Sequence, residues 1–237
     1  MKGEQLPLSV QLPRTASYES YYPVAAPGLL DSLRAGSASL YLFGASGAGK
    51  THLLQAAVRA SRGAVYLPLA ALAAQGPEVL EGLEAAPLVC LDDLPAVSAD
   101  TGWALALLRL LDARAAQGRR LLLAAQPAPE RLPLALPDLG SRLRALEVIG
   151  LRLPSSAEQP VFLAHLARVR GLDLAEDAAR WLLQHHARDS RSLVQALDAL
   201  DRAALSARRR LTLPFVMQTL PSAPDAPAPP AARTAAG

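Results

Sequence analysis

Eight consecutive residues, Gly44, Ala45, Ser46, Gly47, Ala48, Gly49, Lys50 and Thr51, constrain this chain more than any others. They satisfy G-x-x-x-x-G-K-[ST] in full, directly after the apolar run SLYLF (39–43) and directly before the helical run THLLQAAVRA. The glycines permit positive φ and close backbone approach, and the turn aims its N–H groups at a β-phosphate. Lys50 adds a point charge and Thr51 offers its hydroxyl to Mg²⁺. A glycine-rich turn that merely joins strand to helix leaves Lys50 and Thr51 unexplained. The expected ligand is ADP or ATP with Mg²⁺.

The flanking pattern places this loop in an α/β fold. AVYLP (64–68), LVCLDD (88–93), RLLLAA (120–125) and ALEVIGL (145–151) read as further strands. They are too continuously apolar for a sheet with one wet face. Between them, THLLQAAVRA and TGWALALLRLLDARAA carry helical spacing, the second with Trp103, Leu107, Leu110 and Leu111 on one side. Strict alternation of strand and helix implies right-handed crossovers and a five-stranded parallel sheet covered on both faces.

After Leu153 only helical patterns remain: SAEQPVFLAHLARVR, LAEDAARWLLQHHA, SRSLVQALDALDRAALSA and LPFVMQTL. Ser155 and Ser156 with Glu158 form a weak capping box. The expected organisation is an extended leader (1–37) that wraps onto the domain, a nucleotide-binding α/β domain (38–153), a small all-α lid (154–220) and a disordered Pro/Ala-rich tail (221–237).

LVCLDDL delivers Asp92 and Asp93 to the C-terminal edge of the third strand, where ligands of parallel sheets sit. Asp92 suits the Mg²⁺ shell, as a Walker B carboxylate does. Asp93 either polarises an attacking water or caps the helix that follows. Two acids here favour an ATPase over a small-molecule kinase. Gln126, at the end of RLLLAAQ, either orients water near a γ-phosphate or is a plain loop residue. Arg142, in PDLGSRL, and Arg191, in SRSLVQALDAL, are by themselves ordinary helix arginines.

Composition excludes more than it assigns. A formal charge of +3 is well short of a dedicated nucleic-acid binder, and the ARRR run (207–210) suits a solvated helix end. The one cysteine, Cys90, lies in an apolar run and reads as a buried, inert thiol. His185 and His186 are adjacent and point to different helix faces, so no metal site beyond the nucleotide's Mg²⁺ is expected. No signal peptide or membrane-length apolar run is present, which suggests a cytoplasmic protein with no membrane partner.

A P-loop, an Asp-Asp strand end, a polar residue closing the fourth strand, an arginine before the fifth and an arginine in a helical lid resemble the layout of an AAA+ module. More closely, QLPLSV, LVCLDDL, LPDLGSRL, RDSRSLVQALDALDRA and LTLPFVMQTL are similar to the Hda family, DnaA-related proteins that inactivate the replication initiator. The resemblance covers roughly residues 4–220. DnaA itself continues into a helix-turn-helix DNA-binding domain; here only the tail is expected.

The resemblance implies a role for each element. Arg142 is implied to be an arginine finger acting in trans on ATP bound to DnaA, and Arg191 a sensor II arginine that reads the protein's own nucleotide. Gln126 falls at sensor I, where relatives often carry an acidic or otherwise different residue. Gln5, Leu6 and Leu8 match the peptide that docks on the DNA polymerase III β sliding clamp, with DNA reached indirectly through the clamp. The implied activity is regulatory inactivation of DnaA by stimulated ATP hydrolysis, preventing re-initiation of replication, with weak intrinsic hydrolysis and a possible homodimer. The rival expectations are a DnaA-like adaptor or helicase loader that binds DNA or replication proteins, and a self-sufficient ATPase or kinase.

Overall fold

The strand Leu88–Asp92 is buried along its whole length, because it carries helices on both faces and a neighbouring strand on each side. The computed structural model describes residues 16–22, 28–36, 38–186, 190–207 and 210–220. The chain divides into two compact units, Met1–Leu153 and Pro154–Gly237.

The first unit runs α1 (Leu29–Ala35), β1 (Leu40–Gly44), α2 (Lys50–Ala60), β2 (Val65–Pro68), the single turn α3 (Leu69–Leu72), β3 (Leu88–Asp92), α4 (Thr101–Ala116), β4 (Arg120–Ala125), α5 (Pro137–Arg144) and β5 (Glu147–Leu151). The five strands are parallel in the order β2-β3-β4-β1-β5. This is the α/β sheet that the alternating pattern predicts. Side chains alternate between its two faces. Tyr41, Val89, Leu91, Leu121 and Leu123 pack with Trp103, Leu107, Leu110 and Leu111 of α4. Leu40, Leu42, Cys90, Leu122 and Ala124 pack with Leu53, Leu54 and Ala57 of α2.

The leader is less extended than its composition suggests. Residues 29–35 form α1, bracketed by left-handed Gly28 and Gly36, and Leu29 and Leu33 are buried together with Tyr18 and Tyr21 in the α2-side core. Seven residues present two apolar positions to the core, too few to stand out as a periodic run. Gln5, Leu6 and Leu8 and the tail 221–237 lie outside the described residues.

Arginines tie down the edge of the sheet opposite the phosphate loop. Arg114, in the last turn of α4, is 1% exposed. Its Nη1 donates to Leu83 O (2.8 Å) and Ala86 O (3.0 Å), and its Nη2 donates to Arg120 O. Arg120 in turn donates from Nε to Ala38 O (2.8 Å) and from Nη1 to Leu33 O (2.9 Å) at the end of α1. Carbonyls beyond the ends of helices and strands are thereby satisfied.

The second unit runs α6 (Gln159–Val169), α7 (Glu176–His186), α8 (Ser190–Ala207) and α9 (Leu213–Thr219). Leu163, Leu166, Leu182, Leu193, Leu197, Leu200 and Val216 form its aliphatic core. α6 starts later than expected, because Pro160 has no N–H to close the preceding turn. Glu158 does reach back to the Ser155 N–H (2.8 Å) and hydroxyl (2.7 Å), which realises half of the capping box. α7 also starts late, since Leu174 is held in a parallel bridge with Leu211. Arg170 Nη2 meets Asp198 Oδ1 at 2.7 Å and joins α6 to α8. No helix among the described residues is long and apolar enough to cross a membrane.

Arg114→Ala is expected to empty the space of a buried side chain and to take one donor each from Leu83 O, Ala86 O and Arg120 O. It should lower the unfolding free energy by about 3 kcal/mol or more, read as a fall in the urea midpoint at unchanged slope.

Candidate nucleotide-binding site

The phosphate loop is shaped by what surrounds it. At Gly44, the last residue of β1, φ is 150° and a Cβ would lie 2.2 Å from Leu151 O on the adjacent β5. Only glycine fits there. Gly47 (φ 83°) and Gly49 (φ 92°) complete the turn, and a Cβ on Gly49 would lie 2.7 Å from Tyr21 Cε2. α2 then opens without an acidic residue in its first turn and without a side-chain cap, so its leading N–H groups face the loop. Lys50 Nζ donates to Gly44 O (2.6 Å) and Ala45 O (2.9 Å), closing the loop on itself. Burial lowers the Lys50 pKa, while Asp92 and Asp93 oppose that shift. Thr51, on the first turn of α2, is exposed.

The acidic pair divides into a fixed and an open carboxylate. Asp92 is 2% exposed; its Oδ2 accepts from Tyr66 Oη (2.8 Å) and its Oδ1 from the Asp93 N–H (3.0 Å). Asp93 is exposed and left-handed at φ 57°, the one non-glycine residue with positive φ among those described. A backbone held this way stores about 1–2 kcal/mol of strain. Its side chain makes no cap hydrogen bond to the turn Leu94–Ala96, so the helix-cap alternative does not hold. Partial desolvation at the strand end, and then the Asp92 charge, raise the Asp93 pKa; Lys50 pulls the other way.

Strand order brings these parts together. β4 lies between β3 and β1, so Gln126, just past β4, stands between the acidic pair and the loop. Its main-chain oxygen accepts from the Gly44 N–H (3.2 Å). With Phe43, Gly44, Pro127, Glu130 and Arg131 it lines a cavity of about 810 Å³ at this edge.

Of the two arginines singled out by the sequence, Arg142 makes its contact within the first unit. Arg142, on α5, has a side chain 58% exposed, and its Nε meets Asp112 Oδ1 of α4 at 2.7 Å. Its partner is a carboxylate of its own unit rather than the loop. Arg191 stands in the first turn of α8, in the second unit, and its side chain lies outside the described set. Cys90 is a free, buried thiol whose pKa burial pushes up.

Three neighbours of the site escaped the sequence. Tyr66 pairs with Cys90 across β2 and β3, which puts it on the same face as Asp92, two residues further on. A single tyrosine in an otherwise aliphatic edge strand was the available signal. Burial and the adjacent Asp92 push its phenol above the ordinary range. Tyr21 against Gly49 and His52 bonded to the leader carry no such signal, because they are separated widely in sequence. His52 Nε2 lies 2.9 Å from Ser20 Oγ and 3.0 Å from Ser17 O.

Residues 157–220 match the family model described as the Hda lid domain. An uncharacterized protein of Haemophilus influenzae is 40% identical over 228 residues, covering 92% of this chain and 99% of that one. Domain III of the replication initiation protein DnaA from Thermotoga maritima superposes with a TM-score of 0.67 at 18% identity, over 88% of this chain and 97% of that one. AMPPCP-bound DnaA from Aquifex aeolicus gives a TM-score of 0.65 at 18% identity, over 84% and 71%.

An acid whose folded pKa is raised stabilises the fold only below the ordinary carboxylate range, near pH 4, and that contribution is lost as pH rises toward the folded value. Asp93 is therefore expected to weaken the nucleotide-free protein at neutral pH. Asp93→Asn removes the repulsion and suits the left-handed backbone, and should raise Tm at pH 7 by about 1–3 °C in differential scanning calorimetry. The gain should vanish below about pH 4.

Proposed function

This chain belongs to the Hda family of DnaA-related AAA+ proteins, and from that premise we propose that it is a nucleotide-bound regulator that inactivates DnaA. It holds ADP or ATP with Mg²⁺, docks on the DNA-loaded β sliding clamp, and stimulates hydrolysis of the ATP bound to DnaA.

The residues at the phosphate loop fit a Mg²⁺-bound nucleotide. The uncapped N–H groups of α2 and the Lys50 ammonium, now satisfied by Gly44 O and Ala45 O, suit phosphate oxygens. Thr51 and Asp92 would hold Mg²⁺, and each Asp92 oxygen keeps an acceptor site beyond its single hydrogen bond. The likeness to AMPPCP-bound DnaA supports the same ligand class. A bound nucleotide would supply negative charge facing Lys50 and the uncapped start of α2. Gln126 serves as sensor I and Arg191 as sensor II. Asp93 is the group for polarising water, and with Gln126 at sensor I intrinsic hydrolysis is weak.

The observation that carries the regulatory reading is Arg142. Its guanidinium is more than half exposed on α5, within PDLGSRL, and is not engaged by the chain's own phosphate loop. Such a group is free to offset the charge on a γ-phosphoryl group held by another molecule. Fingers of this kind are worth about 10³–10⁵ in rate, or about 4–7 kcal/mol of barrier. The clamp motif Gln5, Leu6 and Leu8 brings the regulator to DNA indirectly, and confines the action to cytoplasmic protein assembled at replicating DNA. A homodimer is compatible with this arrangement.

Arg142→Ala is expected to keep nucleotide and clamp binding while lowering stimulated hydrolysis of DnaA-bound ATP at least about 100-fold. The check is turnover of DnaA-ATP with and without clamp-loaded DNA; undiminished stimulation would refute the finger role. Replacing Gln5 and Leu8 together by Ala should abolish clamp pull-down and leave nucleotide affinity within about twofold. Retained clamp binding in that variant would discard the leader assignment.

A further inference from the structure

Arg142 is not a loose surface arginine. Its Nε sits 2.7 Å from Asp112 Oδ1, and the two residues project from helices that share one core, with Leu107, Leu110 and Leu111 of α4 against Leu139 and Leu143 of α5. The anchor points of both side chains are therefore set by packed helices. A guanidinium has two faces for an oxyanion in its plane: a side edge made by Nε–H and one terminal N–H, and an end made by the two terminal amino groups. A carboxylate in ion-pair contact beside Nε leaves the end formed by Nη1 and Nη2 open to another oxyanion. The neighbouring arginine does not compete, since Arg144 Nη2 is turned back along its own helix to Ser141 Oγ (3.3 Å).

We propose that Asp112 is the positioning residue of the arginine finger: it holds the Arg142 side chain extended with its terminal amino groups free for a phosphoryl group on a partner molecule. The proposal rests on the reading of Arg142 as a finger acting in trans. Both side chains are more than half exposed, at 58% and 54%. Their mutual attraction is thus screened and adds little to folding stability. What Asp112 supplies is order. A free arginine samples many rotamers, and each must be lost when the finger enters the partner's site; a side chain already held in one of them gives that up in advance. The effect belongs on the rate of the assembled complex rather than on its assembly.

The experiment uses the full-length protein with DnaA-ATP and clamp-loaded DNA, and measures ATP hydrolysis against concentration of the regulator. Asp112→Ala is expected to lower the maximal stimulated rate about three- to ten-fold, with the half-saturating concentration and nucleotide affinity within about twofold of the parent. Asp112→Asn should retain more than about half of the parent rate, because a carboxamide oxygen can occupy the same place beside Nε and accept from it. In the Arg142→Ala background, Asp112→Ala should change nothing further. A parent-like or faster Asp112→Ala would overturn the proposal, as would an Asp112→Asn no better than Asp112→Ala. If Arg142→Ala itself kept full stimulation, the finger reading would fall instead, and the two failures are told apart by that one control.

Discussion

The backbone passes from β1 into the phosphate loop at a point where no side chain fits. Gly44 lies so close to β5 that a Cβ would be 2.2 Å from Leu151 O. That contact sets the loop's direction of departure, and the remaining geometry follows from it. Lys50 can reach back to the carbonyls of Gly44 and Ala45 because the loop returns over the strand that it left. α2 begins beneath it without a side-chain cap, and Tyr21 closes against Gly49 on the outer side. The loop packs closely against both the sheet and the leader.

Strand order does the rest of the assembly. Inserting β4 between β1 and β3 gathers the loop, Gln126 and the acidic pair at one edge, although the sequence separates them widely. Within the acidic pair the division of labour is electrostatic. Asp92 is buried and has both oxygens hydrogen-bonded. Asp93 has no such partners, a raised pKa and a left-handed backbone. The proposed role of Asp93 in polarising water is in keeping with those penalties, since strain and unfavourable charge cluster at functional positions.

Arginine chemistry in this protein is decided by surroundings rather than by residue type. Arg114 and Arg120 donate to main-chain carbonyls and act as internal braces. Arg170, in the lid unit, is buried against Asp198 and joins two helices. Arg142 alone among these four is more than half exposed with a single carboxylate partner, which leaves donors available to another molecule. The same five N–H groups thus serve as cement in three places and as an outward-facing donor in the fourth.

Much of this was legible in the sequence. Gly44 to Thr51, the five strands and the aliphatic stripe of α4 are local patterns of glycine spacing, continuous apolar runs and helical period, and each depends on residues within a few positions of one another. Fold class follows from them. The placement of Tyr66 on Asp92, Tyr21 on Gly49 and Asp112 on Arg142 depends instead on which strands and helices become neighbours. So does the burial of Tyr18, Leu29 and Leu33 in a leader that composition presents as extended. Periodicity reports which face of an element is apolar but not what lies opposite it, because that is set by long-range packing. The sequence by itself determined the phosphate loop, the alternating sheet and the helical lid; only the tertiary structure decided which residues hold the loop, the acidic pair and the exposed arginine in place.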